Sequence, residues 1–254
     1  NSKLFVADDV SFNSKLSVTG IATMNDQLVV MKDASLNSKL FVADDVYFNS
    51  KLSVTGIATM NDQLIVINDA SLNSKLFVAD DVLFNSKLSV TGIATMNDQL
   101  VVVKDASLNS KLFVNGDVSF NSKLSVTGIA TMNDQLVVVK DASLNSKLFV
   151  SDDVYFNSKL SVTGIATMND ILVVMKDASL NSKLFVSDDV SFNSKLSVTG
   201  IATMNDQLVV VKDASLNSKL FVADDVSFNS KLSVTGIATM NDQLVVVKDA
   251  SLNS

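Results

Sequence analysis

The chain has 254 residues, 47% of them hydrophobic, and 20 basic against 27 acidic side chains leave a formal net charge of −7. That is too apolar for a disordered tail and too mildly acidic for a nucleic-acid binder. His, Cys, Trp and Pro are all absent, which removes the usual general base, thiol nucleophile, soft metal ligands and disulfide staples.

Residues 1–12, NSKLFVADDVSF, set the theme of the chain. Residues 13–24 read NSKLSVTGIATM and residues 25–36 read NDQLVVMKDASL, and the three 12-residue motifs return from Asn37 with a 36-residue period. Seven such trios fill 252 residues. A fixed short period predicts a stacked repeat in which each piece buries its apolar face only against its neighbours. The array is read as one continuous domain over residues 1–254. Because Asn1 opens inside a repeat and Ser254 closes inside one, it is read as a segment of a longer chain or filament.

Within the first motif Leu4 and Val6 flank Phe5, then Val10 and Phe12 flank Ser11. This period of two predicts a pair of short strands. The second motif places Leu16, Val18, Ala22 and Met24 at the same inward positions, and the third places Leu28, Val30, Ala34 and Leu36. Helix is excluded because the apolar spacing of two, then four, never becomes the alternation of three and four that a helical stripe needs.

The seven copies test the inside-outside assignment, since changes collect where packing does not forbid them. Tyr47, Leu83, Asn115, Gly116, Ser151, Tyr155 and Ser187 depart in the first motif, and Met31, Ile65, Ile67, Asn68, Ile171 and Met175 in the third. None of the thirteen falls on an inward position. Corners are predicted at Asn-Ser or Asn-Asp and at Ala-Asp, Thr-Gly or Met-Lys. Asn tolerates left-handed backbone, Gly20 and its copies offer the same freedom, and the recurring Asn could stack as a ladder.

The expected fold is therefore all-β, a parallel β-solenoid (β-helix) built of 12-residue or 18-residue coils. A 12-residue coil explains the short period directly and is the favoured reading, although it stacks Lys3 on Lys15. An 18-residue coil sets Lys15 beside Asp33 and Leu4 beside Ala22, but sets Asn13 beside Met31. A third geometry winds three chains into an intertwined trimer.

Outward-facing Phe5, Phe41, Phe77, Phe113, Phe149, Phe185 and Phe221 form the candidate self-association surface, for exposed apolar sets mark contacts. The partner would be the chain itself, packed laterally or end to end. A competing role for Phe5 is to cover its own sheet beside Val29. In a 12-residue coil Ser11, Thr23 and Ser35 would form a hydroxyl column, the basis for an ice-binding alternative.

Asp8 and Asp9 are the recurrent carboxylate pair, with Asp26 and Asp33 elsewhere; they are read as solvated corners in preference to calcium ligands. No catalytic residue, cofactor or metal site is assigned, and the chain is read as a non-enzyme with neither nucleic-acid binding nor membrane insertion.

Residues 9–26, DVSFNSKLSVTGIATMND, resemble the repetitive β-helical shafts of phage tail fibres and of fibre-like proteins of large algal viruses. The resemblance implies a rigid extended spacer, often trimeric, on a virion or cell surface outside the cell, with host binding in a separate tip domain. An adhesin stalk is the alternative.

Overall fold

The computed structural model describes residues 3–253, so the corner expected at Asn1 lies outside the described residues. The chain forms two compact units, Asn1–Gly128 and Ile129–Ser254. Each is a parallel β-solenoid of about seven 18-residue coils. No helix among the described residues is long and apolar enough to cross a membrane.

In the first unit the strands run from Leu4–Val6 to Leu124–Val126, and in the second from Ala130–Met132 to Ala250–Leu252. Every strand is three residues long and begins six residues after the last, so three hexads close one coil. Three parallel sheets result in each unit. Sheet A holds the strands Leu4–Val6 and Ala22–Met24, sheet B holds Val10–Phe12 and Leu28–Val30, and sheet C holds Leu16–Val18 and Ala34–Leu36.

The register decides the coil size. Leu4 pairs with Ala22 and Val6 with Met24, and Val18 pairs with Leu36. Each partner lies one 18-residue step further along the same chain, which corrects the favoured 12-residue coil. Backbone bonds follow the same step, with the Leu4 amide donating to the Ile21 carbonyl at 2.9 Å and the Ala22 amide to the Lys39 carbonyl at 2.9 Å.

The 12-residue rhythm has a reason that sequence spacing alone did not disclose. Two kinds of hexad alternate along the chain, Leu-x-Val and its counterpart of Val-x-Phe, Ala-x-Met or Ala-x-Leu, while three hexads make a coil. Since three is odd, each strand lies on a strand of the other kind. Leu40 sits between Ala22 and Ala58, and Phe48 between Val30 and Val66. Large and small side chains thus interleave down every column, as dense packing requires. Coil and motif come back into phase after two coils, which is the 36-residue period.

All twelve inward positions of the trio are core. Away from the terminal coils Leu, Val, Ala and Met at these places are almost fully buried, and Phe48, Phe84, Phe120, Phe156, Phe192 and Phe228 are completely so. Alternation within each strand is clean, with both ends in and the middle residue out.

The corners depart from expectation. Among the described residues no Asn, and no Gly, has a positive φ. Each bend is spread over two residues between strands, so no single residue has to turn left-handed. Glycine serves a different purpose, because a Cβ on Gly56 would lie 2.4 Å from the Ser38 carbonyl oxygen one coil away. The same approach recurs at 2.3 Å between Gly164 and Ser146. Close passage of one backbone over another fixes glycine here.

Candidate functional site on the outer faces

With the inside filled, chemistry is confined to the middle residue of each strand and to the corners. Each sheet presents a different column.

Sheet A carries every Phe of the candidate self-association series, Phe5 to Phe113 in the first unit and Phe149 to Phe221 in the second. Each alternates with threonine, Phe41 lying between Thr23 and Thr59 and Phe185 between Thr167 and Thr203. Val29 is on sheet B, so the expectation that Phe5 is covered beside Val29 is not met; its neighbour is Thr23. Phe5 is 64% exposed and Phe221 36%, while Phe41, Phe77, Phe113, Phe149 and Phe185 are half-buried against the flanking threonines.

Sheet C carries serine alone. Ser17, Ser35, Ser53 and Ser71 follow one another in register in the first unit, as Ser143, Ser161, Ser179 and Ser197 do in the second. The hydroxyl column expected from Ser11, Thr23 and Ser35 does not exist, because those residues fall on sheets B, A and C respectively. The real column was readable as serines recurring at the 18-residue step, hidden by the choice of a 12-residue coil.

Sheet B is irregular. Ser11, Val29, Tyr47, Ile65, Leu83 and Val101 succeed one another on its outer side. Shallow grooves lie between them, one of about 280 Å³ bounded by Gln27, Val29, Asp45, Tyr47, Gln63 and Ile65. Their linings change from coil to coil, so they do not repeat one ligand-binding chemistry.

Corners divide by charge. Where sheet A turns into sheet B, Asp8 and its copies stack with Asp26 and its copies. The carboxylates of Asp44, Asp45 and Asp62 lie within 4.8 Å of one another, and those of Asp152, Asp153 and Asp170 do likewise. Loss of solvation, then the neighbouring carboxylates, pushes Asp62, Asp170 and Asp206 above the ordinary aspartate range. The column also brackets the bend, the Asp45 amide donating to Asp44 Oδ1 at 2.8 Å and the Gln63 amide to Asp62 Oδ1 at 3.0 Å. Their hydrogen bonds to the corner amides make these carboxylates caps of the bend.

Where sheet B turns into sheet C, Ser50 Oγ donates to Asp33 Oδ1 at 2.6 Å, and Lys15 Nζ lies 4.0 Å from Asp33 Oδ2. The serine hydroxyl, then the Lys51 amide, holds the Asp33 carboxyl below its usual range, and the same pattern recurs at Asp69, Asp105, Asp177 and Asp213. Alternating Lys and Asp replaces the Lys-on-Lys stack of a 12-residue coil. The Asn ladder is also absent from this corner. Asn49 Nδ2 instead donates to Met31 Sδ at 2.8 Å, and Asn193 to Met175 at 2.9 Å.

Compared with protein-family models, curated proteins and solved structures, the chain finds no match. Function has to be argued from the coil and its three faces.

Proposed function

We propose that the chain is a structural element, a stiff β-solenoid shaft of the kind that spaces or supports other parts of an extracellular or virion-surface fibre. The observation that carries this reading is the continuity of the core. Within each unit two coils repeat without insertion, loop or change at any inward position, and hydrogen bonds join each coil to the next. Such a coil resists bending because tilting one rung opens ladder bonds on all three sheets together, each contributing about 0.5–1.5 kcal/mol.

Electron microscopy of the purified chain tests it. An axial repeat of about 4.8 Å is expected, with one 18-residue rung per repeat. Particles without that repeat would overturn the proposal.

A second reading, binding to a regular surface such as ice, is favoured by one observation, the unbroken serine column of sheet C. Thermal hysteresis measured on the wild type and on a variant with Ser53, Ser71 and Ser89 replaced by Lys separates the two. A shaft without surface affinity gives none in either protein.

A further inference from the structure

The seven copies of the repeat have drifted on one side of the coil only. Tyr47, Ile65, Leu83 and Tyr155 are on sheet B. Asn115, Gly116, Ser151, Ser187 and Ile171 lie on the approach to that sheet, and Met31, Ile67, Asn68 and Met175 at the corner leaving it. Sheets A and C, and the corner joining them, are identical in every copy. Equal age explains none of this, because all three faces were duplicated together. Core packing does not explain it either, because the middle residue of a strand points outward on sheet A as on sheet B. Sheets A and C share this constancy, and of the two only sheet A presents large apolar side chains on its outer side.

We infer that sheet A is the docking face for a second copy of this chain, aligned parallel to the first and displaced along the axis by one coil. Three features select that occupant. The first is period. Phe ridges recur at every second coil, about 9.6 Å apart, with a Thr recess between, and another copy has the same period by construction. Displacement by one coil seats the ring of Phe41 or Phe77 of each chain over a threonine of the other.

The second feature is charge, which sets polarity. Along the strand-entry rim of sheet A stand Lys39 and Lys75, both exposed, while the exit rim carries Asp44, Asp62, Asp80 and Asp98, one per coil. Rotation of the second copy about an axis parallel to the coil axis lays its Lys rim over the Asp rim of the first. Rotation about a perpendicular axis would lay Lys on Lys and Asp on Asp, where like charges repel. Since the Asp rim has a carboxylate at each coil except that of Gly116, a one-coil displacement keeps the lysines opposite aspartates.

The third is area. A face about 15 Å wide, with six coils, about 29 Å, overlapping after the one-coil displacement, covers about 430 Å² on each partner. Pairing one unit with its counterpart then buries about 870 Å², the size of a weak contact that forms as concentration rises. The inference goes beyond the shaft reading and stands or falls separately from it.

The chain has no cysteine, so single cysteines report the geometry directly. Lys75→Cys and Asp98→Cys chains, mixed at equal concentration and oxidised, are expected to form disulfide dimers about tenfold more than either variant alone, equivalent to about 1.4 kcal/mol of preference. Lys75→Cys mixed with Asp80→Cys, which requires undisplaced chains, should give less. Dimers formed chiefly between identical variants would overturn the parallel arrangement, and equal yields in every mixture would overturn specific pairing. Sedimentation provides an independent measurement. Wild type should gain mass with concentration, and a chain with Phe5, Phe41, Phe77, Phe113, Phe149, Phe185 and Phe221 all changed to Ser should remain monomeric with an unchanged far-UV spectrum. A wild type that is monomeric at all concentrations, or a sevenfold variant that associates as wild type does, would overturn the proposal.

Discussion

Placing a methyl group on Gly164 separates two reasons for a glycine at a bend. If the residue supplied only conformational freedom, alanine would be tolerated, since no glycine among the described residues has a positive φ, and the stiffer chain would gain about 0.4–1 kcal/mol. The structure gives the opposite expectation. The new Cβ would lie 2.3 Å from the Ser146 carbonyl oxygen and 2.6 Å from its carbon. Real Cβ contacts do not fall below 3.0 Å, so the two coils must part by 3.0 − 2.3 = 0.7 Å at this corner.

The Gly164 amide donates to that same oxygen at 3.1 Å, and stretching by about 0.7 Å takes it beyond hydrogen-bonding range. Losing the bond costs about 0.5–1.5 kcal/mol and overpacking about 1–3 kcal/mol. Net destabilisation of about 2 kcal/mol remains after the gain in chain stiffness, a fall in melting temperature of about 4–8 °C for a chain of this size. Gly116 is the control. It stands where the other six copies hold Asp, and its added Cβ would meet nothing closer than 3.0 Å, so Gly116→Ala should be neutral or raise the melting temperature by a few degrees. Thermal unfolding followed by circular dichroism measures both, with amide exchange around residues 146 and 164 locating the damage. Equal tolerance of the two substitutions would refute the close-approach argument.

Inside and outside can be compared on neighbouring phenylalanines. Phe156→Ala empties a fully buried site and should cost about 3–5 kcal/mol, whereas Phe149→Ser on the outer side of sheet A should change monomer stability by less than about 1 kcal/mol; denaturant titration reads both. Deletions test the parity of the coil. Removing residues 37–72 should leave an intact solenoid, but removing residues 55–72 brings Leu40 against Leu76 and Phe48 against Phe84, and overpacking at the junction should cost about 1–3 kcal/mol. Removing residues 49–60 keeps large on small throughout, so the melting temperature should hold while Phe77 moves from sheet A to sheet B. Acid acts in two directions. As pH falls toward the ordinary aspartate value of 3.8, protonation of the raised Asp62, Asp170 and Asp206 relieves repulsion, and stability should rise. Below 3.8 the contribution of the lowered Asp33, Asp69 and Asp105 is lost as each protonates, and stability should fall. A melting temperature that declines steadily from neutral pH would contradict the crowded Asp corner.

Much of the fold was legible because a strand of three residues declares itself in three residues. Leu4, Val6, Val10 and Phe12 were placed inward from alternation, and drift at Tyr47 and Leu83 marked an outer site. Coil size was less legible, because it depends on which hexads meet across space. The clues were volume and charge, Leu4 with Ala22 and Lys15 with Asp33, and both indicated the 18-residue coil. Simplicity of period indicated the 12-residue one, and it misled because motif length and coil length need not agree when faces are odd in number. The glycines were misread for a related reason: proximity of Gly56 to Ser38 is a contact between coils, invisible until the register is known. Of the candidate surface, the Phe series was found whole, but its threonine neighbours and the confinement of drift to one face emerged only once the coil was closed.

The mismatch of two hexad kinds with three faces also governs how such a chain can change length. Copies this alike invite misaligned exchange between their coding sequences. Exchange out by one whole repeat adds or removes two coils and leaves core, charges and faces as they were, so it passes unnoticed by stability. Exchange out by one motif preserves the core yet turns everything beyond the junction by one third of a revolution, a single step that redirects an entire face without altering one side chain. Length therefore varies freely in pairs of coils, and facing can be inherited as a property of where a junction falls.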